Sequence, residues 1–180
     1  SKRPYVRLSE QGWVWAKSLP FHKLKLNVFA RSNASSFILL YDLGKGAEGR
    51  VWLAATISGA TCVIKFSLTE GKKDVLELER DKWREIWDES ARVATLAKSP
   101  ALIMPFAKPL TNAEWEQEDK RELIKVAVKR LIACRVKHED LARRHVGLYK
   151  NRAVIYDLSH TSEITDEAEA ERQMLAALRL

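Results

Sequence analysis

The sequence predicts an α+β fold, an antiparallel sheet followed by helices, from three observations. Short apolar segments at Phe37–Leu43, Val51–Ala55 and Thr61–Phe66 are separated by turn residues, the pattern of an antiparallel meander. A stretch from Lys72 to about Leu96 contains no glycine or proline and repeats its apolar residues at helical spacing. A second amphipathic stretch runs from about Asn112 to Arg135.

The elements follow in order. Trp13–Ala16 and Lys25–Ala30 are short strand candidates in a basic N-terminal extension, residues 1–36, and Ser32 to Ser36 reads as a loop. The three meander strands come next. In the first helix Trp83, Ile86 and Trp87 share one face at i, i+3 and i+4, which marks them as core. The apolar run Ala101–Phe106, bounded by Pro100 and Pro105, reads as a strand leading into a linker. These elements make a sheet-rich part over residues 37–107. Residues 108–180 form a helical part with short strands near Val146–Tyr149 and Ala153–Tyr156. Its tail from Ser162 is helical, with Thr165 as the capping candidate and acidic residues in the first turn.

Composition narrows the class of protein. Of 180 residues, 46% are hydrophobic and 31% charged, which excludes disorder as a global state. No apolar run approaches the roughly 20 residues that span a bilayer, so no membrane partner is expected. No signal-peptide pattern follows Ser1, and two cysteines fit neither a disulfide framework nor a zinc site, so an intracellular setting is expected. The net charge is +7, with +6 in residues 1–35, zero in 36–98, +4 in 99–160 and −3 in 161–180. Nucleic acid is therefore a partner to consider, although no groove-reading module accompanies the charge and a solvated basic surface is the plainer reading.

Gly44-Lys45-Gly46-Ala47-Glu48-Gly49-Arg50-Val51 is a G-x-G-x-x-G-x-V turn. Gly44 and Gly49 have P-loop spacing, but Arg50 and Val51 follow where Lys and Ser or Thr are needed. A dinucleotide fingerprint needs a helix after the glycines, and Val51-Trp52-Leu53-Ala54 favours a strand. What remains is either an ordinary hairpin turn or a glycine loop whose unhindered amides fold over phosphates. Further on, Cys62-Val63-Ile64-Lys65 sets a lysine in an apolar strand. Such a lysine needs an acidic partner on the following helix. Glu79, 14 residues on, is the first choice, with Glu77 and Glu85 as alternatives.

His138-Glu139-Asp140-Leu141 follows the second long helix, and Asp157 follows the apolar Val154-Ile155-Tyr156. The order is then glycine turn, strand lysine, helix glutamate, His-x-Asp and a second aspartate. In this order the sequence resembles the protein-kinase-like superfamily over residues 37 to 160. The resemblance implies a compact protein-kinase-like two-lobed fold: residues 37–107 as the sheet lobe with its hinge, and 108–180 as a reduced helical lobe. It implies ATP and Mg2+ as cofactors, with Mn2+ an alternative. Gly44, Gly46, Gly49 and Val51 would cover the phosphates. Lys65 would hold the α- and β-phosphates and Glu79 would orient it. Met104 would lie near the gatekeeper position, with Pro105, Phe106 and Ala107 as the adenine hinge. Asp140 would be the catalytic base, His138 a packing residue, and Asp157 the metal ligand.

Three departures stand out. His145 occupies the position of the second metal-binding residue, normally asparagine, and imidazole is a poor substitute for a hard oxygen donor towards magnesium. Asp157 is followed by Leu158 and Ser159 rather than Phe and Gly. Only 23 residues follow Asp157, too few for an activation segment and the helices that dock peptides. The wording of His138–Leu141, Arg144–Leu148 and Val154–Ser159 further resembles the kinase-like C-terminal domains of Crinkler effectors of oomycetes and fungi. That implies an effector acting on a host protein, in the host nucleus or cytoplasm. Three functions follow as expectations: ATP-dependent phosphoryl transfer to a protein or to itself, a pseudokinase scaffold as the alternative, and a basic nucleic-acid-binding domain as the third. His138, His145 and His160 with Asp140 and Asp157 also allow a hydrolase-type metal cluster. Cys62 and Cys134 read as buried small hydrophobes.

Overall fold

The computed structural model describes residues 28–31, 36–45, 49–56, 59–67, 73–96 and 98–180. The Trp13–Ala16 strand candidate, the first half of Lys25–Ala30 (residues 25–27) and Gly46 lie outside the described residues. The chain divides into two compact units, Ser1–Arg80 with Ser90–Phe106, and Asp81–Glu89 with Ala107–Leu180. The second unit thus takes in the segment Asp81–Glu89, which lies within the 37–107 part expected from the sequence. No helix among the described residues is long and apolar enough to cross a membrane.

The first unit is built on a six-stranded antiparallel sheet. Its strands are β1 (Val28–Arg31), β2 (Ser36–Lys45), β3 (Gly49–Thr56), β4 (Thr61–Ser67), β5 (Arg92–Leu96) and β6 (Ser99–Pro105). Their spatial order is β1-β2-β3-β4-β6-β5. Side chains alternate across the sheet with period two. Phe37, Leu39, Ala54, Cys62, Ile64, Ala101 and Ile103 make one buried cluster. Leu40, Leu53, Ala55 and Phe106, with Ile38 and Val63, make the other.

Helix α1 (Lys73–Trp87) buries Leu76, Glu79, Trp83, Ile86 and Trp87, a stripe at helical spacing that includes one carboxylate. The helix is shorter than its sequence suggests. It ends at Trp87, and Arg92–Leu96 is strand β5 rather than a continuation to Leu96. Asp88 turns left-handed at φ 53°, and its N–H closes on the Arg84 carbonyl at 3.0 Å. Val93 and Thr95 then pair across to Leu102 and Pro100 of β6 in a tight hairpin, and this ladder outweighs the helical periodicity.

The second unit holds β7 (Lys108–Pro109), α2 (Asn112–Trp115), α3 (Glu118–Ala133), β8 (Val136–His138), a 3-10 turn (Arg143–His145), β9 (Val146–Tyr149), β10 (Arg152–Ile155), β11 (Thr161–Glu163) and α4 (Glu167–Leu178). Three strands pair in the order β10-β9-β7, and β11 pairs with β8. The single helix expected from Asn112 to Arg135 is two helices, because Gln117 is extended (φ −80°, ψ 127°). Thr111 caps α2 through a reciprocal capping box with Glu114. Asp166, not Thr165, caps α4, its Oδ1 accepting the Glu169 N–H at 3.0 Å. Ile124, Ala127, Val128 and Leu131 form the buried stripe of α3, which packs on β10 and α4. Trp115 is buried beneath the Arg143 guanidinium, 4.7 Å from its ring centre.

Within this unit the last turn of α1 is tied down by side chains. Trp87 Nε1 donates to the Ile155 carbonyl at 3.0 Å, Arg130 Nε donates to the Ile86 carbonyl at 2.7 Å, and Arg152 donates to the Trp87 carbonyl. The two arginine bonds satisfy carbonyls that a helix end leaves open. Cys62 is buried, its thiol pushed up to about 12 by desolvation, whereas Cys134 is half-buried rather than buried.

Candidate functional site

Two groups of polar residues stand out, one in each unit. In the first, Lys65 sits in the middle of β4, opposite Val51 of β3 on one side and Leu102 of β6 on the other. Its Nζ meets Glu79 Oε2 at 2.8 Å, and the two side chains are only 6% and 2% exposed. Glu79 is the partner because it lies on the buried stripe of α1, whereas Glu77 faces Lys73 and Arg80. A fully buried ion pair seldom stabilises a fold more than apolar residues of the same volume. Its presence in an otherwise apolar interior therefore points to a charge held for use.

The glycine turn joins β2 and β3. Gly44 has φ 131°, in a region that side chains disfavour, and its N–H donates to Asp42 Oδ1 at 3.0 Å. Asp42 also accepts Arg50 Nε at 2.9 Å, which clasps the two strands just before and after the turn. Gly49 is required for packing: a Cβ there would sit 2.1 Å from the Phe66 carbonyl oxygen. Met104 pairs with Val63 and is buried, and Phe106 is buried in the apolar cluster. Ala107, in the second unit, is buried where Gly147 approaches it, 2.8 Å from the place of a Cβ.

The second group lies around the 3-10 turn. His145 is 6% exposed, and its Nε2 faces Asp157 Oδ2 at 3.8 Å. Asp157 adopts a left-handed backbone at φ 62°, unusual for a non-glycine residue. Its Oδ1 accepts the Ser159 hydroxyl at 3.0 Å, which holds the carboxylate in one orientation. His138 stacks on His145 with ring centres 5.2 Å apart, and its Nε2 lies 3.2 Å from the Tyr156 carbonyl. Burial lowers the pKa of both imidazoles, with the Arg144 charge adding to the effect at His145 and Asp157 opposing it. Burial pushes the Tyr156 phenol up to about 12, and its hydroxyl donates to the Arg144 carbonyl. Asp140 is largely exposed and accepts Arg144 at 2.8 Å.

The structure thus brings Lys65 together with Glu79, and His145 together with Asp157. It ties Asp140 to Arg144, a partner with only its i+4 position as a signal. Ser159 and Tyr156 also escaped the sequence reading. Ser159, two residues past Asp157, was the readable one, since a short hydroxyl at that spacing often bonds back to a carboxylate. The alternative cluster that included His160 does not form: His160 is exposed, and among the described residues no three His, Cys, Asp or Glu gather as a metal site.

Comparison with solved structures gives the fold a name. The kinase domain of PF14_0431 superposes with a TM-score of 0.56 over 82% of this chain at 14% identity. The chain spans 56% of that domain's length. At that identity the likeness shows the fold alone, and the fold is kinase-like. No curated protein matches the sequence. Residues 42–149, more than half of the chain, match the family described as "Family of unknown function (DUF5898)", and the chain belongs to that family.

Proposed function

We propose that this chain binds ATP with a divalent cation and transfers the γ-phosphoryl group to a protein hydroxyl, on another molecule or on itself. The observation that carries the reading is the buried Lys65–Glu79 pair in a kinase-like fold. Glu79 fixes a lysine charge that suits the α- and β-phosphates, and the resemblance to kinases would set Gly44, Gly49 and Val51 of the glycine turn over them. By the same resemblance Met104, Phe106 and Ala107 would serve the adenine end. Asp157 and His145 fit a divalent cation, since a left-handed carboxylate held by Ser159 and a buried imidazole converge to 3.8 Å. The cation, when bound, offsets negative charge on the phosphates. Asp140 accepts the proton of the attacking hydroxyl as the new P–O bond forms and ADP leaves with the bridging oxygen.

The Asp140–Arg144 ion pair favours a second reading, a pseudokinase that binds nucleotide or a protein partner without turnover. The Arg144 guanidinium occupies the carboxylate that has to take the proton. The resemblance to Crinkler domains adds the proposal that the protein acts inside a host cell, which tagged protein imaged in host tissue would test. For the main reading the experiment is ATP calorimetry without metal and with magnesium or manganese, on the native chain and Lys65→Ala, followed by transfer of labelled γ-phosphate. Binding that needs both metal and Lys65, with label transferred, supports the phosphotransferase. Binding without transfer favours the pseudokinase, and no binding in any condition overturns both nucleotide readings.

A further inference from the structure

We propose that the cation site selects a first-row transition ion, manganese or cobalt, over magnesium, and that His145 sets this choice. The inference rests on the nucleotide reading and gives the metal partner of that site a chemical class. Two ligands that share an ion at about 2.1 Å each stand no more than about 4.2 Å apart. The 3.8 Å between His145 Nε2 and Asp157 Oδ2 falls within that span.

The donor set is one nitrogen and one oxygen. Magnesium takes oxygen donors and keeps its waters, whereas transition ions accept imidazole, increasingly so from manganese to cobalt. His145 has little freedom to turn away. Its ring is 6% exposed, stacked on His138, and edge-on to Tyr156 at 6.4 Å between centres. Its backbone is pinned on both sides, the N–H to the Ala142 carbonyl at 2.8 Å and the carbonyl to the Tyr156 N–H at 2.9 Å. Nε2 is the ring nitrogen that faces Asp157, and it is the one placed for a ligand. The chain supplies two ligands and phosphate oxygens the rest, so the preference is read in the presence of nucleotide.

The test is calorimetry of a non-hydrolysable ATP analogue with magnesium, manganese or cobalt at concentrations that saturate the nucleotide. For the native chain the dissociation constant falls about tenfold from magnesium to cobalt, with manganese between. In His145→Asn, which restores an oxygen donor, that spread shrinks to about twofold. Equal constants with all three metals in the native chain, or an unchanged spread in the variant, overturn the proposal while leaving the nucleotide reading intact. Failure to bind the analogue with any metal overturns both. Electron spin-echo spectroscopy of the native chain with manganese and the analogue reads the ligand without a variant. Nitrogen modulation from a bound imidazole supports the assignment, and its absence overturns it.

Discussion

Lys65 and Glu79 illustrate why a single buried charge carries consequences out of proportion to its size. Removing one partner leaves the other desolvated and unpaired. Glu79→Gln is expected to destabilise the protein by about 3–5 kcal/mol, read as a drop in the midpoint of denaturant unfolding. Lys65→Met, which replaces the ammonium with an apolar end, should cost less if Glu79 takes up a proton. Both variants are expected to lose ATP binding, so stability and binding separate in the Lys65 variant. Asp157 sits in left-handed backbone that asparagine tolerates better than other residues. Asp157→Asn is therefore expected to keep its unfolding midpoint within about 1 kcal/mol of native while abolishing metal-dependent nucleotide binding, measured by calorimetry.

Elements depend on close approaches that few residues allow. At the start of β3 a Cβ on residue 49 would meet the Phe66 carbonyl oxygen at 2.1 Å. Gly49→Ala is expected to force β3 from β4 and cost about 1–3 kcal/mol, whether or not the turn touches a phosphate. That result alone would not establish a nucleotide loop, because the glycine answers a packing demand. At the other end of the sheet-to-helix path, the indole of Trp87 satisfies the Ile155 carbonyl. Trp87→Phe leaves that buried acceptor open and is expected to cost about 1–3 kcal/mol, with amide exchange accelerating in β10 first.

For the molecule as a whole, His138 and His145 give folding a pH dependence with a definite sign. Burial holds both imidazoles below the ordinary value of about 6.5. The unfolded chain then binds more protons than the folded one as pH falls through that value, so stability is full above it and declines below it. Thermal unfolding is expected to shift to lower temperature between pH 7 and pH 5, and the slope to flatten in His138→Gln. A slope that is unchanged in the variant would remove His138 from the account. If ATP binds only the folded state, a ligand at a hundred times its dissociation constant adds about 2.7 kcal/mol to stability, visible as a raised unfolding temperature.

Short-range chemistry made much of this protein legible from sequence. Turn residues between apolar runs marked β2, β3 and β4, because hairpin partners are neighbours in the chain. The stripe that buries Trp83, Ile86 and Trp87 was readable at i, i+3 and i+4, and it carried Glu79 to the same face as those core residues. The order of Lys65, Glu79, Asp140 and Asp157 pointed to a kinase-like fold, which the structural comparison bears out. Tertiary structure decided what depends on distant partners. Arg92–Leu96 had a helix-compatible sequence, yet it became β5 in a tight hairpin with β6, a strand that the distant β4 holds in the sheet. The three residues of β8 gained strand form by pairing with β11, whose register partners lie 23 to 27 residues further on. The stacking of His138 on His145, the turn of Asp157 towards that ring and the capture of Asp140 by Arg144 likewise came from packing around one short turn. Local propensity ranks the conformations of a segment by a few tenths of a kcal/mol per residue, and burial and non-local hydrogen bonds, which act only once the chain has folded back, choose among them.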